Sequence, residues 1–122
     1  MARILVIEDN PTNMELMTYL LTAFGHQPTP ALDGELGLEM VRSQPFDLII
    51  CDVQLPKVDG YEVVRQLKND AELSRTPIVA VTALAMVGDR ERVLASGFDG
   101  YVSKPIDPET FVAQVEAFIR GN

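Results

Sequence analysis

One cysteine, Cys51, stands in a chain of 122 residues, so no internal disulfide can form, and the composition suits a reducing cytosol. No apolar run approaches the ~20 residues a membrane helix needs. No signal-peptide pattern opens the chain either, since Met1-Ala2-Arg3 leads straight into an apolar strand. Basic residues are scarce, ten against 18 acidic ones, for a formal charge of −8. Nucleic-acid binding that ignores base sequence needs clustered Lys and Arg to displace counterions, so that class is disfavoured. Low-complexity stretches, internal repeats and linkers are absent, and 47% hydrophobic residues can supply an ordinary core. The expectation is one cytoplasmic domain over residues 1–122. An acidic balance first of all means solubility, but part of the excess can be gathered at a cation site.

What is present is a fivefold alternation of short apolar runs with amphipathic stretches. Ile4-Leu5-Val6-Ile7 reads as a strand buried on both faces. Asn10 and Pro11 open a helix as N-cap and first-turn proline, Met17, Leu20, Leu21 and Phe24 follow at helical spacing, and Gly25 ends it. A weak strand around Gln27 to Ala31 contains Pro28 and Pro30, which cannot donate ladder hydrogen bonds, so it belongs at a sheet edge. Asp33-Gly34 begins a second helix, and Leu48 to Cys51 forms the third strand. A loop from Asp52 to Asp59 leads to a helix from Gly60 with Val63, Val64 and Leu67 inward. Strand four is expected at Ile78 to Val81, and helix four from about Met86 to Ser96. Strand five follows at Gly100 to Val102, and Asp107-Pro108 caps a last helix with Phe111, Val115, Phe118 and Ile119 in one stripe. Five βα units of this length predict an α/β fold, a doubly wound parallel sheet with helices on both faces.

The polar residues fall at the ends of strands. The first strand ends in Glu8-Asp9, the third in Asp52, the fourth in Thr82 and the fifth in Ser103-Lys104. In a parallel sheet these ends share one edge, where ligands of such folds bind. If the order is 2-1-3-4-5, Glu8, Asp9 and Asp52 converge, with Thr82 and Lys104 approaching from the other side. Singly, each has a plainer explanation: an Asp after a strand caps a turn, a Thr forms one, and a Lys is solvated. Cys51 on a buried strand is simply a small hydrophobe. Jointly the pattern demands more. Carboxylates ~4 Å apart repel by roughly 4 kcal/mol per pair at an effective dielectric of ~20, so the cluster calls for a cation. Mg²⁺, a hard ion that takes oxygen ligands, is the natural candidate. Such a site suits phosphoryl transfer, with Asp as nucleophile and Mg²⁺, Lys104 and Thr82 answering the charge that develops.

These residues resemble the response-regulator receiver domains of bacterial two-component signalling, the CheY-like superfamily. The signature is Glu8-Asp9-Asn10, then Asp52 with Pro56 and Asp59-Gly60, then Thr82-Ala83 and Lys104-Pro105, in order across nearly the whole chain. The resemblance implies the 2-1-3-4-5 strand order of a flavodoxin-like fold. It implies Asp52 as phosphoacceptor and Mg²⁺ held by Glu8, Asp9, Asp52 and the backbone carbonyl of Gln54. Lys104 would hold the phosphoryl group, Thr82 would turn inward upon it, and Tyr101 would be the aromatic switch. Pro105 would follow a cis peptide bond. Gln54 and Leu84, at positions that vary in the family, would flank the path of a hydrolytic water, with the Gln54 amide orienting it.

The implied function is a phosphoacceptor switch that catalyses only its own phosphorylation and dephosphorylation. The donor would be a histidine kinase or a histidine phosphotransfer protein. The readout face is expected at helix four, strand five and helix five, near Met86, Tyr101 and Phe111. No sequence remains after Asn122 for a DNA-binding output, so the expected signal leaves by protein–protein contact, with no nucleic-acid or membrane partner. Stand-alone receivers of the DivK kind and receivers of hybrid kinases fit about equally; the initiating Met and short tail favour the former. A receiver that docks without being phosphorylated is the further alternative. An aspartyl-nucleophile phosphatase would want a carboxylate where Gln54 stands, and a nucleotide carrier would want a Ser/Thr/Gly-rich cradle where Asp9-Asn10-Pro11 stands.

Overall fold

A computed structural model describes residues 1–83 and 87–119. The strands are β1 (Arg3–Ile7), β2 (Gln27–Ala31), β3 (Leu48–Asp52), β4 (Ile78–Thr82) and β5 (Gly100–Ser103). They alternate with α1 (Pro11–Ala23), α2 (Gly34–Ser43), α3 (Gly60–Lys68), α4 (Asp89–Ala95) and α5 (Phe111–Glu116), and a 3₁₀ turn at Leu73–Arg75 precedes β4. All pairings are parallel, in the order β2-β1-β3-β4-β5. Connections of this length return each strand in the same direction, so all carboxyl ends share one edge.

Local chemistry explains the element boundaries. Asn10, Asp33 and Asp59 each accept a backbone N–H three residues on, from Asn13, Leu36 and Glu62, at 2.8–3.0 Å. These side chains satisfy N–H groups that the first helical turn leaves open. β2 lies at the sheet edge. Gln27 donates its N–H to Ala2, and the alternation of an edge strand then turns Pro28 and Pro30 outward, where the missing N–H costs no ladder bond.

Strand alternation sorts the core into two layers. Ile4, Val6, Ile50 and Val81 pack with Met17 and Leu21 of α1 and with Phe111 and Val115 of α5. Leu5, Ile7, Ile49 and Ala80 pack with Leu38, Val63, Val64 and Leu67 of α2 and α3. Every residue of β3 and β4 is buried. Full burial of each Val, Leu or Ile stabilises by roughly 1.5–3 kcal/mol, and these two central strands carry Asp52 and Thr82 at their ends.

Two boundaries differ from expectation. Regular α4 begins at Asp89, after Gly88 with φ +93°, rather than near Met86; residues 84–86 lie outside the described residues. The last helix becomes regular only at Phe111. The Asp107 carbonyl accepts N–H bonds from both Thr110 and Phe111, and its carboxylate takes the Glu109 N–H, so Asp107-Pro108 caps a turn leading into α5. Phe118 and Ile119 continue the stripe beyond the helix, half-buried against the core.

Candidate functional site

Register places the strand-end residues side by side. Ile7 pairs with Cys51, Asp52 with Val81, and Thr82 with Ser103. Glu8 therefore emerges beside Asp52, and its N–H is anchored on the Ala31 carbonyl at 3.0 Å. Its Oε2 accepts the Asn10 N–H at 3.1 Å, while Oε1 is buried with no hydrogen-bond partner among the described residues. Asp52 Oδ1 accepts the Gln54 N–H at 3.0 Å, and Lys104 Nζ donates to Oδ2 at 3.1 Å. The same ammonium stands 3.5 Å from Glu8 Oε1. Asp9 is exposed at the rim, and one oxygen from each of Glu8, Asp9 and Asp52 falls within 4.8 Å of the others.

The electrostatics follow from burial. Desolvation pushes the Glu8 carboxyl up from 4.5 to about 7; the Asn10 N–H opposes this and the Asp52 charge adds to it. Burial acts to lower the Lys104 ammonium, but the hydrogen bond and charge of Asp52, with Glu8 beyond, raise it overall. Burial, then the charges of Asp52 and Glu8, push the Cys51 thiol up, so it stays neutral and donates to the Asp52 carbonyl at 3.3 Å. The Lys104 ammonium thus pairs with Asp52 and Glu8, Asp9 adds a third carboxylate to the cluster, and Glu8 Oε1 stays buried without a hydrogen bond among the described residues. That donor set of hard oxygens fits a divalent cation such as Mg²⁺.

Gly60 brings α3 against this cluster. Its N–H donates to the Val53 carbonyl at 2.9 Å, and a Cβ at this position would sit 2.5 Å from the Asp52 carbonyl oxygen. Only glycine allows so close an approach. On the far side, Thr82 is buried at the end of β4, its carbonyl accepting the Lys104 N–H at 2.9 Å. Thr82 and Gln54 share a cavity of about 420 Å³ with Tyr61, Arg92 and Val93. A larger concavity, about 820 Å³, lies at the opposite end between Phe46, Asn69 and Leu73 and includes none of the strand-end residues. The Lys104–Pro105 peptide is cis.

Against this geometry, a family model described as the response regulator receiver domain matches residues 4–116. The chain belongs to that receiver family. The polar-differentiation response regulator DivK of Brucella ovis is 40% identical over 116 residues, which cover 95% of this chain and 94% of DivK. Among solved structures, the receiver domain of a Syntrophus aciditrophicus signal transduction histidine kinase superposes with a TM-score of 0.91. It is 30% identical, with 99% of this chain and 92% of that one covered. The receiver domain of a Pseudomonas aeruginosa sensor histidine kinase, which coordinates a magnesium ion in its active-site cleft, gives 0.87 at 32% identity, with 96% of each chain covered. This receiver is thus a bacterial-type two-component signalling domain. Receivers of this family work with histidine kinases or phosphotransfer proteins. No helix among the described residues is long and apolar enough to cross a membrane.

Other residues singled out in the sequence fall as follows. Tyr101 is half-buried on β5, with the Arg90 guanidinium carbon 5.6 Å from its ring centroid. Phe111 does not stand on a readout surface. It is 0% exposed, because a large aromatic on the inner stripe of α5 is worth more in the core than at the rim. Met86 and Leu84 lie outside the described residues. Sequence reasoning missed Arg90 and Arg92 of α4, whose guanidinium groups lie over the rings of Tyr101 and Tyr61. No spacing signal announces such a contact, since the partners lie on different elements.

Proposed function

We propose that this receiver, occupying residues 1–122, is a phosphoacceptor switch that takes a phosphoryl group from a phosphohistidine onto Asp52. The observation that carries the reading is the Lys104 ammonium on Asp52 Oδ2 beside the Glu8–Asp9–Asp52 cluster. An Asp52 oxygen attacks phosphorus, the P–N bond to the donor imidazole breaks, and an acyl phosphate forms. Mg²⁺, held by Glu8, Asp9, Asp52 and the Gln54 carbonyl, would neutralise charge on the carboxylates and the phosphoryl oxygens. Lys104, already paired with Asp52, follows the charge outward onto a phosphoryl oxygen. The Thr82 hydroxyl donates to another, and Tyr101 turns inward into the space vacated. The change shifts an equilibrium between two conformations and is read through protein contacts at α4, β5 and α5. The domain works in the cytoplasm, and its donor is a histidine kinase or histidine phosphotransfer protein. The domain catalyses only its own phosphorylation and dephosphorylation.

Acetyl phosphate with Mg²⁺ should label the wild type, and Asp52→Asn should take up no phosphoryl group. Undiminished labelling of Asp52→Asn would remove Asp52 from the acceptor role. Absence of labelling in the wild type as well would favour a receiver that only docks.

A further inference from the structure

α4 is held by little apolar packing. Among its described residues only Val93 is buried; Leu94 is 43% exposed, and the Gly88 N-cap supplies no side-chain hydrogen bond. A single buried valine leaves polar contacts a large share in deciding where this helix sits.

One of those contacts runs to α3. The Arg92 guanidinium carbon lies 4.4 Å from the Tyr61 ring centroid, within cation–π range. Phe98, buried just beyond α4, meets the same ring edge-on at 6.3 Å and 70°. Tyr61 is therefore met both by Arg92 of α4 and by Phe98, three residues beyond it. It also follows Gly60 directly, and Gly60 rests on the Asp52–Val53 backbone with no room for a Cβ. A shift of the acceptor loop must carry Tyr61 with it. The cavity of about 420 Å³ between Gln54, Thr82 and Arg92 gives α4 room to respond. None of these contacts passes through Tyr101, whose ring is met instead by Arg90.

We propose that the Arg92–Tyr61 stack is a second link between the acceptor loop and α4, formed in the resting conformation and released when Asp52 is phosphorylated. The inference rests on Asp52 being the acceptor. Arg92 is then a positioning residue for the switch, acting through Tyr61 on the readout helix. By linkage, weakening a contact made only at rest favours the activated state and everything that binds it.

Beryllofluoride with Mg²⁺, a noncovalent phosphoryl mimic, provides the test, with the α4 amides followed by NMR as it is titrated. Arg92→Met, which keeps the aliphatic stem, should lower the beryllofluoride midpoint about two- to fivefold, the worth of one such contact. Tyr61→Leu should do the same, and the double variant no more than either alone. Tyr61→Phe and Arg92→Lys, which keep the ring and the cation, should stay near the wild type. Tyr101→Ala should combine multiplicatively with Arg92→Met. A purely structural role would lower the melting temperature of Arg92→Met without moving the midpoint, and that result overturns the proposal. So does a double variant whose effects multiply. If Tyr61→Leu fails to fold, the Arg92→Met and Arg92→Lys pair decides alone. A wild type that ignores beryllofluoride overturns the acceptor reading itself, and the link with it; failure of the link alone shows only in the variants.

Discussion

Glu8 is the residue whose replacement tests the electrostatics most directly. Its carboxyl is buried, one oxygen lacks a hydrogen-bond partner among the described residues, and its pKa is pushed from 4.5 to about 7. A raised value means the folded protein binds this proton more tightly than the unfolded chain does. Stability should therefore fall as pH rises through the window from about 4.5 to about 7, and then stay low. At ~1.4 kcal/mol for each tenfold change, the full cost at pH 8 approaches ~3 kcal/mol. Glu8→Gln removes the charge and keeps an amide oxygen for the Asn10 N–H. In urea unfolding with a chelator present, the variant should be close to the wild type at pH ~4.5 and more stable than it by up to ~3 kcal/mol at pH ~8. Mg²⁺ should reverse the order at the higher pH, since it stabilises the wild type by binding the ionised cluster and finds a weaker site in the variant. A wild type and variant that differ by the same amount at both pH values would refute the reasoning.

Gly60→Ala should destabilise by ~2–3 kcal/mol in thermal melts, because its Cβ would meet the backbone of Asp52 and Val53 rather than a side chain that can move aside. His26 accepts the Ala2 N–H at Nδ1 and meets Glu116 at 2.7 Å through Nε2. His26→Ala leaves that backbone donor without its acceptor and should cost ~1–3 kcal/mol in urea unfolding. The Gln54 side chain is exposed at the cavity shared with Thr82. If its amide orients a hydrolytic water, Gln54→Ala should lengthen the phosphoryl half-life about fivefold, the worth of one hydrogen bond, with unchanged stability; an unaltered half-life counts against that role.

Much of the fold was legible in the chain because its signals are local. Unbroken apolar runs marked strands buried on both faces. Asn10, Asp33 and Asp59 stood where helices need N-caps, and two prolines identified the edge strand. Where turns are irregular, the same signals located the cap but not the first regular turn. Asp107 takes the Glu109 and Phe111 N–H groups as a cap does, yet the segment first closes a tighter turn and α5 is regular only from Phe111.

By itself the sequence determined the alternation of elements, the strand ends at which Glu8, Asp9, Asp52, Thr82 and Lys104 stand, and hence the shared edge on which they meet. Each of these depends on periodicity or on a neighbour a few residues away. Only the tertiary structure decided that Lys104 closes on Asp52 from 52 positions along the chain, that Glu8 Oε1 is buried without a hydrogen bond among the described residues, and that Phe111 turns inward. It alone decided that Gly60 touches the acceptor backbone and that Arg92 covers Tyr61. Distances between side chains on different elements depend on how those elements pack, and no spacing along the chain encodes them.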